Sequence, residues 1–262
     1  PTDDGRLKPE IVAPGTHIQG AASQTSGYDG TGVCDQYQPT GQTLYAASSG
    51  TSHSTPAVAG AASLFYRYYL DHFSVTPPSP AMVKAYLANS ARYLDGVDAG
   101  DTLPSNAQGY GEVNLGTAFD GAARLLVDQT ELFQATAESY TLVGGIADPD
   151  LPFRVTVAWT DAPGPTTGAA YVNNLDLEVR VNNQTYLGNV FSGATSTIDG
   201  SADLRNNIES VFLPAGTSGP FTITVKATNI AGDGLPGNGD ATDQDFALVC
   251  YNCQQISDFN LT

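Results

Sequence analysis

Hydrophobic and polar positions follow two different rhythms along the chain. Up to about residue 125 the apolar positions come in helical groups separated by Gly/Ser/Thr-rich loops. "STPAVAGAASLFYRYYLDHF", residues 54–73, predicts a helix with Pro56 in its first turn, where a missing N–H is tolerated. Its opening run, Ala57 to Ala62, is small and apolar on every side, which predicts a buried helix with closely approaching neighbours. "SPAMVKAYLANSARYL", residues 79–94, predicts a second helix, with Ser79 as N-cap, Pro80 at the first helical position and one apolar face of Met82, Ala85, Tyr86 and Leu87. Ile11 to Ala13 reads as a short buried strand stopped by Pro14-Gly15.

From about residue 126 the period changes to two. "FRVTVAWTD", "LDLEVRV", "QTYLGNVF", "NIESVFLP", "GPFTITVKATNI" and "DFALVCYN" alternate, and Gly, Pro, Asn and Asp clusters separate them. That pattern predicts an all-β sandwich or jelly roll. The expected architecture is therefore a mixed α/β portion over residues 1–125 followed by a β-sandwich or jelly-roll domain over residues 126–262. The polar stretch 231–245 is read as a long loop, because a strand follows it.

Charge narrows the partners. Lys and Arg number 10 against 27 Asp and Glu, a formal net charge of −17. Nucleic acid and anionic membranes both want cations, so neither is an expected partner. No segment reaches the roughly 18 apolar residues of a membrane span. The acidity fits a secreted or extracellular protein with carboxylates free for calcium. The chain opens at Pro1 and carries no signal peptide, which suggests a processed or truncated piece of something longer.

There are three cysteines. Cys250 and Cys253 form a lone CxxC. A four-cysteine zinc site would need a second one, and a thioredoxin-like site would need a βαβ setting. A local disulfide is the expectation, which leaves Cys34 free or paired outside the chain. Asn183-Gln184-Thr185 is a glycosylation sequon, meaningful only in a source that glycosylates.

The stretch "GTSHSTPAVAG", Gly50 to Gly60, carries the chemistry. Ser52 falls at the start of a helix, where unpaired N–H groups and the helix dipole favour a developing oxyanion. Gly50 lets the backbone turn tightly before it. The stretch is similar to the serine signature of subtilisin-like peptidases, and every fixed position matches. "GRLKPEIVAPGTHI" upstream and "GYGEVNLGTAFDGA" downstream also resemble that family. The segments from "VTVAWTDAP" to "GPFTITVKATN" are similar to the C-terminal β-barrel of the larger, oxidatively stable alkaline subtilases.

The resemblance implies a serine endopeptidase acting on polypeptides, with Ser52 as nucleophile and Gly50, Thr51 and His53 lining the substrate side. It also implies a triad in the order Asp, His, Ser. Only 51 residues precede Ser52, and none carries the expected Asp-Ser-Gly or His-Gly-Thr signature. The acid, the base and the oxyanion asparagine are expected in a missing N-terminal catalytic segment. The three histidines of this chain are expected in packing or surface roles. His53 adjoins Ser52, about 100° round the helix. His72 is about 30 Å along it. His17 lies in a loop.

Related enzymes bind calcium, including in the β-domain. Here oxygen ligands cluster at Asn173, Asn174 and Asp176, at Asp199, Asp203, Asn206 and Asn207, and at Asp233, Asp240, Asp243 and Asp245. Asn174, Asp176, Asp203, Asp243 and Asp245 are the candidate ligands of a structural calcium, and turn chemistry is the competing reading. A non-catalytic binding or bracing module is the alternative function for the whole chain.

Overall fold

The computed structural model describes residues 2–255. Contacts divide them into two compact units: Val12–Leu64, and the described residues on either side of it.

Within Val12–Leu64, β1 (Ile18–Ala21) pairs antiparallel with β2 (Tyr45–Ser48), from Ile18 opposite Ser48 to Ala21 opposite Tyr45. The intervening loop returns to β2 through an isolated bridge between Asp35 and Ala47. Helix α1 (Thr51–His72) begins three residues after β2, earlier than the expected residue 54. Ala57, Ala59 and Gly60 are exposed, so the first turns are not the buried rod their composition predicts. Small side chains reach the interior only when a neighbour comes close, and no described residue of this unit covers them. The strand expected at Ile11–Ala13 is reduced to one bridged residue, Val12.

The other unit is mostly β-sheet. The last turns of α1, from Phe65, belong to it. They are followed by α2 (Pro80–Asn89) and the short α3 (Leu115–Ala118). Ser79 caps α2 as its sequence predicts, its Oγ accepting from the Met82 N–H at 2.9 Å. The helix stops at Asn89, five residues short of the expected end. Ser90 Oγ folds back to the Tyr86 carbonyl at 2.8 Å, and Arg154 donates to the carbonyls of Asn89 and Ala91. A half-buried guanidinium thus covers the helix C-terminus, where positive charge is favoured.

The strands are β3 (Arg124–Phe133), β4 (Ser139–Ile146), β5 (Phe153–Ala158), β6 (Asn174–Val181), β7 (Gln184–Leu187), β8 (Phe191–Ser192), β9 (Thr195–Ser196), β10 (Ile208–Leu213), β11 (Pro220–Asn229), β12 (Gln244–Tyr251) and β13 (Cys253–Gln254). They form a four-stranded sheet, β10-β5-β12-β3, and a five-stranded sheet, β13-β4-β11-β6-β7, with β8 and β9 as a small ribbon. Every named strand pair is antiparallel.

The two larger sheets enclose one apolar core, including Val155, Val157, Leu177, Ile223, Phe246 and Leu248. The outer face of the four-stranded sheet packs on the helices through a second core of Ala158, Phe212, Ala247 and Val249 against Phe65, Met82, Ala85 and Tyr86. β10 and β12 are buried at every position, because both faces are covered. This explains why "DFALVCYN" is nearly continuous rather than cleanly alternating.

The expected strand 184–191 splits in two at Gly188 and Asn189, the latter at φ +60°. Cys250 and Cys253 form the expected disulfide, which joins β12 of one sheet to β13 of the other across a turn with Asn252 at φ +64°. Cys34 is free and exposed.

Candidate active site

The site is built from the turn that starts α1. Gly50 donates its N–H to the Gly15 carbonyl at 2.7 Å, and the His53 N–H returns to the Gly50 carbonyl at 3.0 Å. His17 N–H and Cys34 Sγ both reach Ser49 Oγ, at 2.8 and 3.0 Å. Three chain segments thereby fix the residues just ahead of Ser52. Ser52 is the second residue of α1, and both it and Thr51 are exposed. Helix N–H groups in the first turn have no intrahelical acceptor, so the Ser52 hydroxyl stands beside donors available to an oxyanion.

Gly15 is where the turn is tightest. A Cβ there would lie 2.2 Å from Ser54 Oγ and 2.9 Å from the Gly50 carbonyl oxygen. Gly15→Ala must push the start of α1 aside. The expected result is a fall of about 100-fold in kcat of the parent enzyme, since misplacing a reacting group by about 1 Å has that effect. Steady-state kinetics on a peptide amide check it, and an unchanged kcat would contradict this account of the turn.

Among the described residues, Ser52 Oγ has no hydrogen-bond partner, and no histidine is placed as its base. His17 Nε2 stands 3.7 Å from Asp35 Oδ2, both exposed. His72 Nδ1 meets the Tyr68 carbonyl at 2.9 Å and its ring stacks on Tyr68. His53 is half-buried beside Ser52. The candidate nucleophile, its turn and its helix terminus are present; a histidine hydrogen-bonded to it is not among the described residues.

The calcium candidates are distributed over separate parts of the β-rich unit. Asp176 accepts from Asn174 and Thr228. Asp203 accepts from the Arg205 and Asn206 backbones and from the Asn189 and Asn206 amides. Asp243 accepts from the Leu235 N–H and the Asn238 amide. Asp245 accepts from Gln129, yet its Oδ1 is buried without a partner, and burial pushes its carboxyl above the usual range. Among the described residues no three His, Cys, Asp or Glu side chains converge to hold a metal ion.

Asn173 is the hub that the Asp/Asn pattern concealed. Its Oδ1 accepts from Ala231 and Gly232, and its Nδ2 faces Gly232, Asp243 and Gln244 oxygens at 2.9–3.1 Å. It pins the loop 231–243 to the end of the sandwich. Nothing in the sequence separates this buried amide from its neighbour Asn174.

Residues 1–111, which include Ser52 and its turn, match the model of the subtilase family, Peptidase_S8. The chain is also similar to two Dictyostelium discoideum proteins described as serine protease/ABC transporter B family proteins. Against tagD it is 27% identical over 97% of this chain and 17% of that protein. Against tagA it is 27% identical over 88% of this chain and 14% of that protein. A third, tagB, is 38% identical over 41% of this chain and 6% of its own length. The chain thus spans less than a fifth of the curated relatives it matches. The N-terminal segment is thus similar to the subtilase family.

Proposed function

We propose that this chain carries the nucleophile of a subtilisin-like serine endopeptidase and that the triad His and Asp come from a part of the parent protein outside it. The observation that carries the reading is Ser52 itself: exposed, on the first turn of α1, behind a turn held by Gly15, within a fully matching signature. Ser52 Oγ attacks the peptide carbonyl and gives up its proton to the histidine. The carbonyl oxygen becomes an oxyanion facing the Ser52 N–H. Collapse expels the amine with that proton, and water then hydrolyses the acyl-enzyme. Gly50, Thr51 and His53 line the substrate side. The β-rich unit, read as a jelly roll, braces the catalytic part.

A second reading, a non-catalytic bracing or binding module, is favoured by one observation, that no base stands beside Ser52 among the described residues. Peptide-amide hydrolysis separates the two. The 262-residue chain alone is expected to be inactive, and the parent protein active and silenced by a change at Ser52. A parent protein inactive on every peptide offered would favour the module.

Two attributes complete the reading. Secretion is supported by the Cys250–Cys253 disulfide, since such bonds persist in oxidising compartments. A structural calcium is supported only by the unpartnered Asp245 Oδ1, and its other ligands are not gathered as the residues lie. A chelator that lowers the melting temperature would support it; an unchanged melt would remove it.

A further inference from the structure

Two asparagines join β6 to β7, and the fold uses the side chain of only one. Val181 on β6 pairs with Gln184 on β7, so the loop between them is Asn182 and Asn183 alone. Their φ angles are +52° and +63°. That is the turn whose twist fits a hairpin, and asparagine tolerates it where most side chains do not. Asn182 is tied down, its Nδ2 donating to the Ser218 carbonyl at 3.3 Å. Asn183 is exposed, and its amide makes no hydrogen bond among the described residues. Glycine is the usual residue at the second position of this turn, so the turn itself does not require the Asn183 side chain.

The residues that follow complete a pattern. Asn183-Gln184-Thr185 is an acceptor sequence for an N-linked oligosaccharide. Thr185 is exposed on β7, opposite Arg180, and its hydroxyl also has no partner among the described residues. The acceptor amide and the hydroxyl therefore stand free at the tip of one surface hairpin, where a bulky, hydrated group displaces nothing. A second such triplet, Asn260-Leu261-Thr262, lies outside the described residues.

This place also has a use for the group. β7 is the outermost strand of the five-stranded sheet. An open strand edge pairs readily with another chain unless charges, proline or a cover blunt it. β7 reads Gln-Thr-Tyr-Leu, without a charge or a proline, and its first two residues are exposed.

We propose that Asn183 is an N-glycosylation site and that its glycan guards the open edge of β7. The proposal rests on the secretion read above, since the transfer takes place on exported chains. The donor is an oligosaccharide linked to a lipid pyrophosphate. Asn183 Nδ2 attacks the anomeric carbon of its first sugar. The C–N bond forms as the bond from that carbon to the pyrophosphate oxygen breaks. The lipid pyrophosphate leaves, and one amide proton passes to the transferring enzyme.

Peptide mapping of the parent protein tests the site. A peptide N-glycosidase acting in heavy-oxygen water converts a glycosylated asparagine to a labelled aspartate. The peptide that holds Asn183 is expected to gain the label in the unsubstituted protein and in Thr185→Ser, and to stay unlabelled in Thr185→Val, which keeps the strand-forming shape. A label that survives Thr185→Val would overturn the site, because it would come from deamidation. A bare Asn183 in protein recovered from the medium overturns the site and leaves secretion standing, whereas bare protein found only in the cytosol overturns both. Asn183→Gly then tests the edge, since glycine fits the turn and removes the acceptor. Sedimentation should show this variant self-associating beyond the unsubstituted protein, and matching profiles would overturn the guarding role.

Discussion

Ser52→Ala in the parent protein is expected to lower kcat for a peptide amide by about 10⁶-fold while leaving the melting temperature unchanged. Removing the nucleophile of a serine–histidine–aspartate machine has an effect of that size, because the remaining groups act only through it. The structure gives the second half of the expectation. Ser52 is exposed and its hydroxyl has no hydrogen-bond partner among the described residues. Its loss leaves no buried group unpaired, and alanine is at home in the first turn of a helix. Kinetics and melts on the same preparation check both halves. A Ser52→Ala protein that retained activity within about 10-fold would show that another residue attacks the substrate.

The largest expected loss of stability comes from Arg124. Its side chain is 1% exposed and lies between the rings of Tyr86 and Tyr251, 5.3 and 4.7 Å from their centroids. It donates to the carbonyls of Thr117 and Ala122 and pairs with Asp120 at 3.1 Å. Tyr251 Oη donates to the same aspartate at 2.8 Å. One guanidinium therefore holds helix α2, the end of α3 and the last residue of β12. Arg124→Ala leaves two ring faces without their cation and an aspartate without its partner. The expected loss is about 3 kcal/mol, the size of truncating a large packed side chain together with two desolvated cation–ring contacts. For a chain of this size that is a drop of about 10 °C in melting temperature. Arg124→Lys keeps the charge but not the planar fork and should recover only part of it. A melt within about 2 °C of the unsubstituted chain would show that the stack is not holding these elements together.

Much of this arrangement is written in local pattern. Ser79-Pro80 announces the start of α2, and six alternating runs announce most of the strands. The misses have physical causes. β3 was concealed because Gln129 at φ +54° interrupts its alternation. β4 was concealed by Gly144-Gly145, and a Cβ on Gly144 would lie 2.4 Å from Phe221 Cζ, so that glycine answers to a contact on another strand. α2 stops early because of Arg154, which lies 65 residues beyond Asn89. Composition made the first turns of α1 a buried rod, whereas burial depends on a neighbour that the described residues of its unit do not provide. At the site, Ser52 and Gly50 were legible from the motif. Gly15 was not, since only the fold brings it against Gly50. The Asp and Asn clusters looked like cation ligands because turn-building and cation-binding draw on the same oxygens.

The central claim is that Ser52 is a nucleophile completed from outside this chain. A fluorophosphonate probe followed by intact-mass and peptide mapping tests it most directly, on the parent protein and on the 262-residue chain side by side. The account predicts one adduct at Ser52 in the parent protein and none on the chain alone. A labelled Ser52 on the chain alone would mean that a working base lies within it, and a parent protein left unlabelled would mean that Ser52 is not a nucleophile at all.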